Sequence, residues 1–124
     1  MDQQHIHHQE LIGQVQASMP DDALLCEIAE LFKVFGDTTR TKILSALFGR
    51  ELSVCCLSEI VGMSQSAVSH QLRILRQTKV VKSRRQGKEI YYSLDDCHIE
   101  QIYRLALVHL CEERKGYDGK ELSD

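Results

Sequence analysis

The sequence predicts a mainly α fold with a small β-hairpin, a winged helix-turn-helix, and three observations carry that prediction. Two short apolar-periodic segments, 53–61 and 65–77, are separated by Gly62-Met63, and two short helices joined by a glycine-containing turn are the mark of a helix-turn-helix. The second segment runs into VVKSRRQGKEIYYSL, where Val80, Val81, Ile90, Tyr91 and Tyr92 favour strand on either side of Gln86-Gly87, as in a hairpin. Seven of the chain's 15 Lys and Arg (Arg73, Arg76, Lys79, Lys82, Arg84, Arg85 and Lys88) lie between Ser64 and Leu94 beside one acid, Glu89. The formal net charge is −3, but local charge sets a nucleic-acid footprint.

The remaining elements follow in chain order. Residues 1–19 are polar, with His5, His7 and His8 clustered, and read as a flexible arm holding at most a short helix from Glu10 to Ala17. Pro20-Asp21-Asp22 supplies a carboxylate cap. The helix it opens, 22–35, has Leu24, Leu25, Ile28, Leu31, Phe32 and Phe35 as its buried stripe. Gly36 ends that helix. Asp37 or Thr38 caps the next, which runs to about Phe48 with Ile43, Leu44 and Leu47 inward. Val54, Leu57 and Ile60 form the apolar face of the 53–61 helix, and Val68, Leu72 and Leu75 hold the 65–77 helix to the core. A last helix covers 96–113, and 114–124 is a polar tail. Residues 20–113 thus make one winged helix-turn-helix dimer domain.

Composition bounds the class. With 43% hydrophobic and 27% charged residues in 124, the balance is that of a soluble globular domain. No apolar run approaches the ~18 residues of a membrane span, and MDQQHIHHQE lacks a secretory pattern. Five cysteines, Cys26, Cys55, Cys56, Cys97 and Cys111, are an odd number and read as reduced cytoplasmic thiols.

The last helix carries the chain's most specific chemistry. Asp96 and His98 stand at its start, and His109 and Glu112 near its end. All four are metal-ligand types. His98 and His109 are separated by roughly 16 Å along a helix, which one ion with bonds near ~2.1 Å cannot bridge. If the four residues share an ion, Asp96 and His98 of one chain must meet His109 and Glu112 of another in an antiparallel, symmetric pair. Two neutral imidazoles and two carboxylates suit Zn(II) without an open catalytic position. Co(II) fits the same donors, and Cys97 and Cys111 nearby admit Cd(II).

The segment SQSAVSHQLR opens the second helix of the motif. Its polar side chains Gln65, Ser66, Ser69, His70, Gln71 and Arg73 are of the kinds that reach base edges, and Ser64 at the helix N-terminus suits a phosphate. Arg84, Arg85 and Lys88 at the wing tip suit the DNA backbone or minor groove.

These residues resemble the ArsR/SmtB family of dimeric winged-helix metalloregulators over roughly 22–113, through LFKVFGDTTRTKILSAL, ELSVCCLSEIVGMSQSAVSHQLRIL and VKSRRQGKEIYYSLDDCHI. The resemblance implies that Asp-x-His-x10-His-x2-Glu is a dimer-interface site typical of zinc sensors. Cadmium-sensing members carry Glu-Leu-Cys-Val-Cys-Asp before the recognition helix. This chain has Glu51-Leu52-Ser53-Val54-Cys55-Cys56, so the soft-metal set is incomplete and its cysteines read as buried structural thiols.

The expected protein is a cytoplasmic homodimeric repressor. It binds double-stranded operator DNA when metal-free and leaves it on Zn(II) binding between subunits, with no membrane, no small organic substrate and no enzymatic role. The rival reading is a thiol-based repressor sensing As(III), Cd(II) or oxidants through Cys55, Cys56 or Cys111.

Overall fold

The computed structural model describes residues 3–114. Their order is α1 (Gln3–Ser18), α2 (Asp22–Phe35), α3 (Thr38–Leu47), β1 (Leu52–Ser53), α4 (Val54–Val61), α5 (Gln65–Gln77), β2 (Val81–Gln86), β3 (Glu89–Leu94) and α6 (Cys97–Glu113). The chain divides into one unit through Glu30 and another from Leu31 onward.

In the first unit, α1 is far longer than the helix expected from Glu10 to Ala17. Gln, Glu and Leu are good helix formers, and no proline interrupts before Pro20, so the helix propagates through Gly13 despite its propensity cost. Leu11, Ile12 and Val15 on it are all exposed. Asp21 caps α2 as expected, its carboxylate accepting the Leu24 N–H at 2.8 Å.

The expected buried stripe of α2 needs correction. Leu24, Ile28 and Phe32 are exposed, Phe32 by 59%, whereas Val34 is the buried residue. Leu25, Leu31 and Phe35 are half-buried. The inward side of α2 is thus turned from the expected stripe towards Val34, and half of that stripe is uncovered in the single chain.

The second unit is built around Ile43, Leu44, Leu47, Leu57, Val68, Leu72, Leu75 and Val80, all fully buried. Each is worth about 1.5–3 kcal/mol of transfer free energy. Ile60, expected inward, is 59% exposed. The short α4 turns only the row of Val54, Leu57 and Val61 towards this core, and Ile60 falls beside that row. Caps fix the helix starts: Asp37 accepts from Arg40 N–H at 3.0 Å, Ser53 from Cys56 N–H at 3.3 Å, and Ser64 from Ala67 N–H at 3.1 Å.

Two helix ends use the same closing motif with different residues. After α4, Gly62 has φ 72°, and Met63 N–H donates to the Ser58 carbonyl. After α5, Lys79 takes that left-handed place with φ 61°, while Val80 N–H donates to Leu75 and Lys79 N–H to Arg76. This is the Schellman arrangement, in which glycine is the usual choice. A left-handed side-chain-bearing residue costs about 1–2 kcal/mol, and glycine costs the folded state about 0.5–1 kcal/mol in entropy. Lys79→Gly is therefore expected to raise stability by about 0.5–1 kcal/mol, and Lys79→Val to lower it, as read from urea midpoints at constant slope. A destabilised Lys79→Gly would contradict this account.

The sheet has three antiparallel strands in the order β1-β3-β2, one more than the expected hairpin. Leu52 pairs with Tyr92 and Ser53 with Tyr91. Between β2 and β3, Gln86 pairs with Glu89, so the turn residues are Gly87 and Lys88, one position later than expected. Gly87, at φ 63°, supplies the left-handed conformation that a two-residue hairpin turn requires.

Candidate nucleic-acid interface and metal site

The recognition helix α5 buries Val68, Leu72 and Leu75, which turns Gln65, Ser66, Ser69, His70 and Arg73 to solvent. Ser64 is exposed as well; its oxygen holds Ala67 N–H, and its own O–H remains free to donate. Gln71 is placed differently. It is half-buried, and its side-chain oxygen accepts from Arg40 Nε at 3.1 Å, which ties α5 to the start of α3.

A groove of about 510 Å³ separates α5 from β3 and is lined by Ser69, Leu72, Arg73, Arg76, Gln77 and Tyr92. Sequence reasoning counted Arg76 in the basic cluster but did not single it out. Its spacing of three from Arg73, which places both on one helix face, was the available signal. Tyr92 was read only as a strand former, and nothing in the sequence placed its ring beside α5.

At the wing, Arg85 and Lys88 are exposed. Arg84 is engaged within the chain. Its Nε and Nη2 donate to the two Glu51 carboxylate oxygens at 2.7 Å each, and its Nη1 donates to Gln86 Oε1 at 2.8 Å. Its guanidinium lies 5.0 Å from the centre of the Tyr91 ring. The forked bond stabilises the charged forms of both partners, lowering the Glu51 pKa and raising that of Arg84.

Helix α6 places the four ligand-type side chains as two pairs. Asp96 is the N-cap, one oxygen accepting Ile99 N–H at 3.0 Å and the other lying 3.4 Å from His98 Nδ1. The backbone N–H bond is the main reason its carboxyl pKa sits below the usual range, with His98 adding to it. Near the other end, His109 and Glu112 are both exposed, and His109 Nε2 lies 3.9 Å from Glu113. Among the described residues, no three His, Cys, Asp or Glu side chains of one chain converge on a common point.

The two faces of α6 differ in composition. Ile99, Tyr103, Leu107 and Cys111, spaced by four, are buried or half-buried. Tyr103 donates to Ser45 on α3 at 2.7 Å and packs on Phe48, ring centres 5.5 Å apart. On the opposite side, His98, Leu105, His109 and Glu112 fall within roughly 60° of arc at ~100° per residue, and all four are exposed, Leu105 by 68%.

The cysteines correct the expectation of burial: Cys26, Cys55, Cys56 and Cys97 are exposed and Cys111 is half-buried. Cys55 and Cys56 flank the single inward row of α4, as adjacent residues about 100° apart on a helix must. Cys111 belongs to the packed row of α6 and does not share the face of the histidines.

The profile of the bacterial regulatory protein arsR family matches residues 37–83, from the α3 cap to the wing. The transcriptional repressor SmtB homolog of Synechocystis is 43% identical over 109 residues, covering 88% of this chain and 83% of that protein. The chain belongs to the ArsR/SmtB family. A cadmium resistance transcriptional regulatory protein CadC homolog of Staphylococcus aureus is 40% identical over 67% of this chain and 69% of its own length. The homodimeric winged helix-turn-helix DNA-binding domain of Mb0332 from Mycobacterium bovis superposes with a TM-score of 0.72 at 25% identity, covering 82% of this chain and 96% of that domain. As an ArsR/SmtB member the chain is a DNA-binding transcriptional repressor, not an enzyme. No described helix is long and apolar enough to cross a membrane.

Proposed function

We propose that this ArsR/SmtB repressor is a zinc-responsive cytoplasmic homodimer that binds operator DNA when metal-free and releases it when zinc joins its two α6 helices. The observation that carries the reading is the composition of the free face of α6: His98, His109 and Glu112 stand there around exposed Leu105, with Asp96 beside His98. Pairing 96 with 112 and 98 with 109 in an antiparallel dimer puts the two-fold axis near residue 104, next to Leu105. Asp96 and His98 of one subunit then meet His109 and Glu112 of the partner subunit. Two imidazole nitrogens and two carboxylates fit zinc, and the three ligand side chains on this face are exposed. Zinc, when bound, supplies a four-ligand junction between the helices. A relative named for cadmium resistance fits a metal effector.

The chain's own contacts offer a route from α6 to the DNA. Tyr103 holds α6 to Ser45 near the end of α3, and Arg40 at the start of α3 holds Gln71 on α5. A shift of α6 therefore reaches the recognition helix through one short helix anchored in the core by Ile43, Leu44 and Leu47. Base edges fall to Gln65, Ser66, Ser69, His70 and Arg73, and phosphates to Ser64, Arg76, Arg85 and Lys88. Tyr103→Phe keeps the ring packing and deletes the bond to Ser45. It is expected to leave zinc affinity unchanged and to reduce the zinc–DNA coupling by about 0.5–2 kcal/mol. Unchanged coupling would remove Tyr103 from the route.

The thiol reading keeps one observation in its favour, the exposure of Cys55 and Cys56. The test of both readings is zinc titration of the DNA complex for wild type, His98→Ala and a variant lacking all five cysteines.

A further inference from the structure

Arg84 crosses the whole sheet. Strand alternation places Glu51, Tyr91, Arg84 and Gln86 on one face, because Arg84 pairs with Tyr91 across β2 and β3 and Ser53 pairs with Tyr91 across β1 and β3. The Arg84 side chain leaves β2, passes over the Tyr91 ring of the central strand and ends on Glu51, immediately before β1. β1 has only two residues, so its backbone ladder fixes it weakly. It leads directly into α4, with Ser53 serving as both strand residue and helix cap. A forked, charge-assisted pair supported by a cation–π contact is the strong form of a surface ion pair, and here it spans all three strands.

Resting on the DNA-binding reading, we propose that Arg84 and Glu51 are positioning residues: their pair clamps the wing to the entry of the helix-turn-helix and leaves phosphate contact at the wing tip to Arg85 and Lys88. Three of the five guanidinium N–H donors are already used within the chain, and the Glu51 carboxylate cancels the charge that a phosphate would seek. This revises the expectation that Arg84 tracks the DNA backbone.

Salt dependence separates the two roles, since each phosphate contact contributes about −0.9 to the slope of log K against log salt. The probe is a duplex selected from a randomised pool by the full-length wild-type protein. Arg84→Ala and Glu51→Gln are each expected to weaken binding roughly three- to tenfold with the slope unchanged. The exchanged pair, Glu51→Arg with Arg84→Glu, should recover most of that loss. Arg85→Ala should lower the slope magnitude by about 0.9. A slope reduced by one phosphate in Arg84→Ala, tighter binding by Glu51→Gln, or no recovery in the exchanged pair would overturn the proposal. Failure of the wild type to select any duplex would instead remove the DNA-binding reading on which it rests.

Discussion

Zinc at about one ion per subunit is expected to lower the affinity of the wild-type dimer for its selected duplex by roughly 5- to 150-fold, the usual span of a coupling free energy of ~1–3 kcal/mol. His98→Ala and His109→Ala should bind the same DNA as tightly as wild type and lose the response. In the proposed intersubunit site each removes one imidazole, so either substitution would disable both sites of the dimer. The effect is reciprocal: saturating DNA must weaken zinc binding by the same factor, and calorimetry of the free and DNA-bound dimer measures it without reference to transcription. The cysteine-free variant should respond as wild type does, since Cys111 lies in the packed row of α6 and Cys55 and Cys56 are on α4. A wild type indifferent to zinc but released by Cd(II), As(III) or oxidant would transfer the sensing role to the thiols.

Much of this was legible in the sequence, for reasons that also explain what was not. Capping residues are local chemistry, so Asp21, Asp37 and Ser64 could be placed from their neighbours alone. The periods of α5 and α6 identified Val68, Leu72 and Leu75 as inward and set His109 and Glu112 on one face. β1 escaped because two residues carry no periodicity, and its pairing depends on β3, some forty positions away. Ile60 escaped because an eight-residue helix commits only one row of side chains to the core. Arg84 reads as a contact to the DNA backbone or minor groove because charge in a wing is visible in a sequence, whereas its ion-pair partner Glu51 is 33 positions distant. The bond that half-buries Gln71 was hidden in the same way, since its partner Arg40 is 31 positions away. Leu24, Ile28 and Phe32 form an apolar row that is exposed among the described residues, and periodicity does not distinguish a core from an uncovered face.

That distinction can be tested where its consequence is largest. Leu105→Glu is expected to convert the dimer to monomers at micromolar concentration, as read by sedimentation, while leaving the fold of each chain intact. Leu105 is 68% exposed in the single chain, so a carboxylate there disturbs no contact within it. In the antiparallel pair the two copies of residue 105 lie beside the symmetry axis. Each wild-type leucine buried there contributes about 1.5–3 kcal/mol, and symmetry counts it twice. The variant forfeits roughly 3–6 kcal/mol of association free energy on those terms, more than a hundredfold in affinity, before repulsion between two carboxylates is added. DNA binding should fall with dimerisation, because two half-sites about one helical turn apart need two linked recognition helices. Zinc binding should fall too, since neither subunit brings more than two of the four ligands. A Leu105→Glu protein that stays dimeric would show that α6 is not the seam. The same result would leave Asp96, His98, His109 and Glu112 as two unconnected surface pairs.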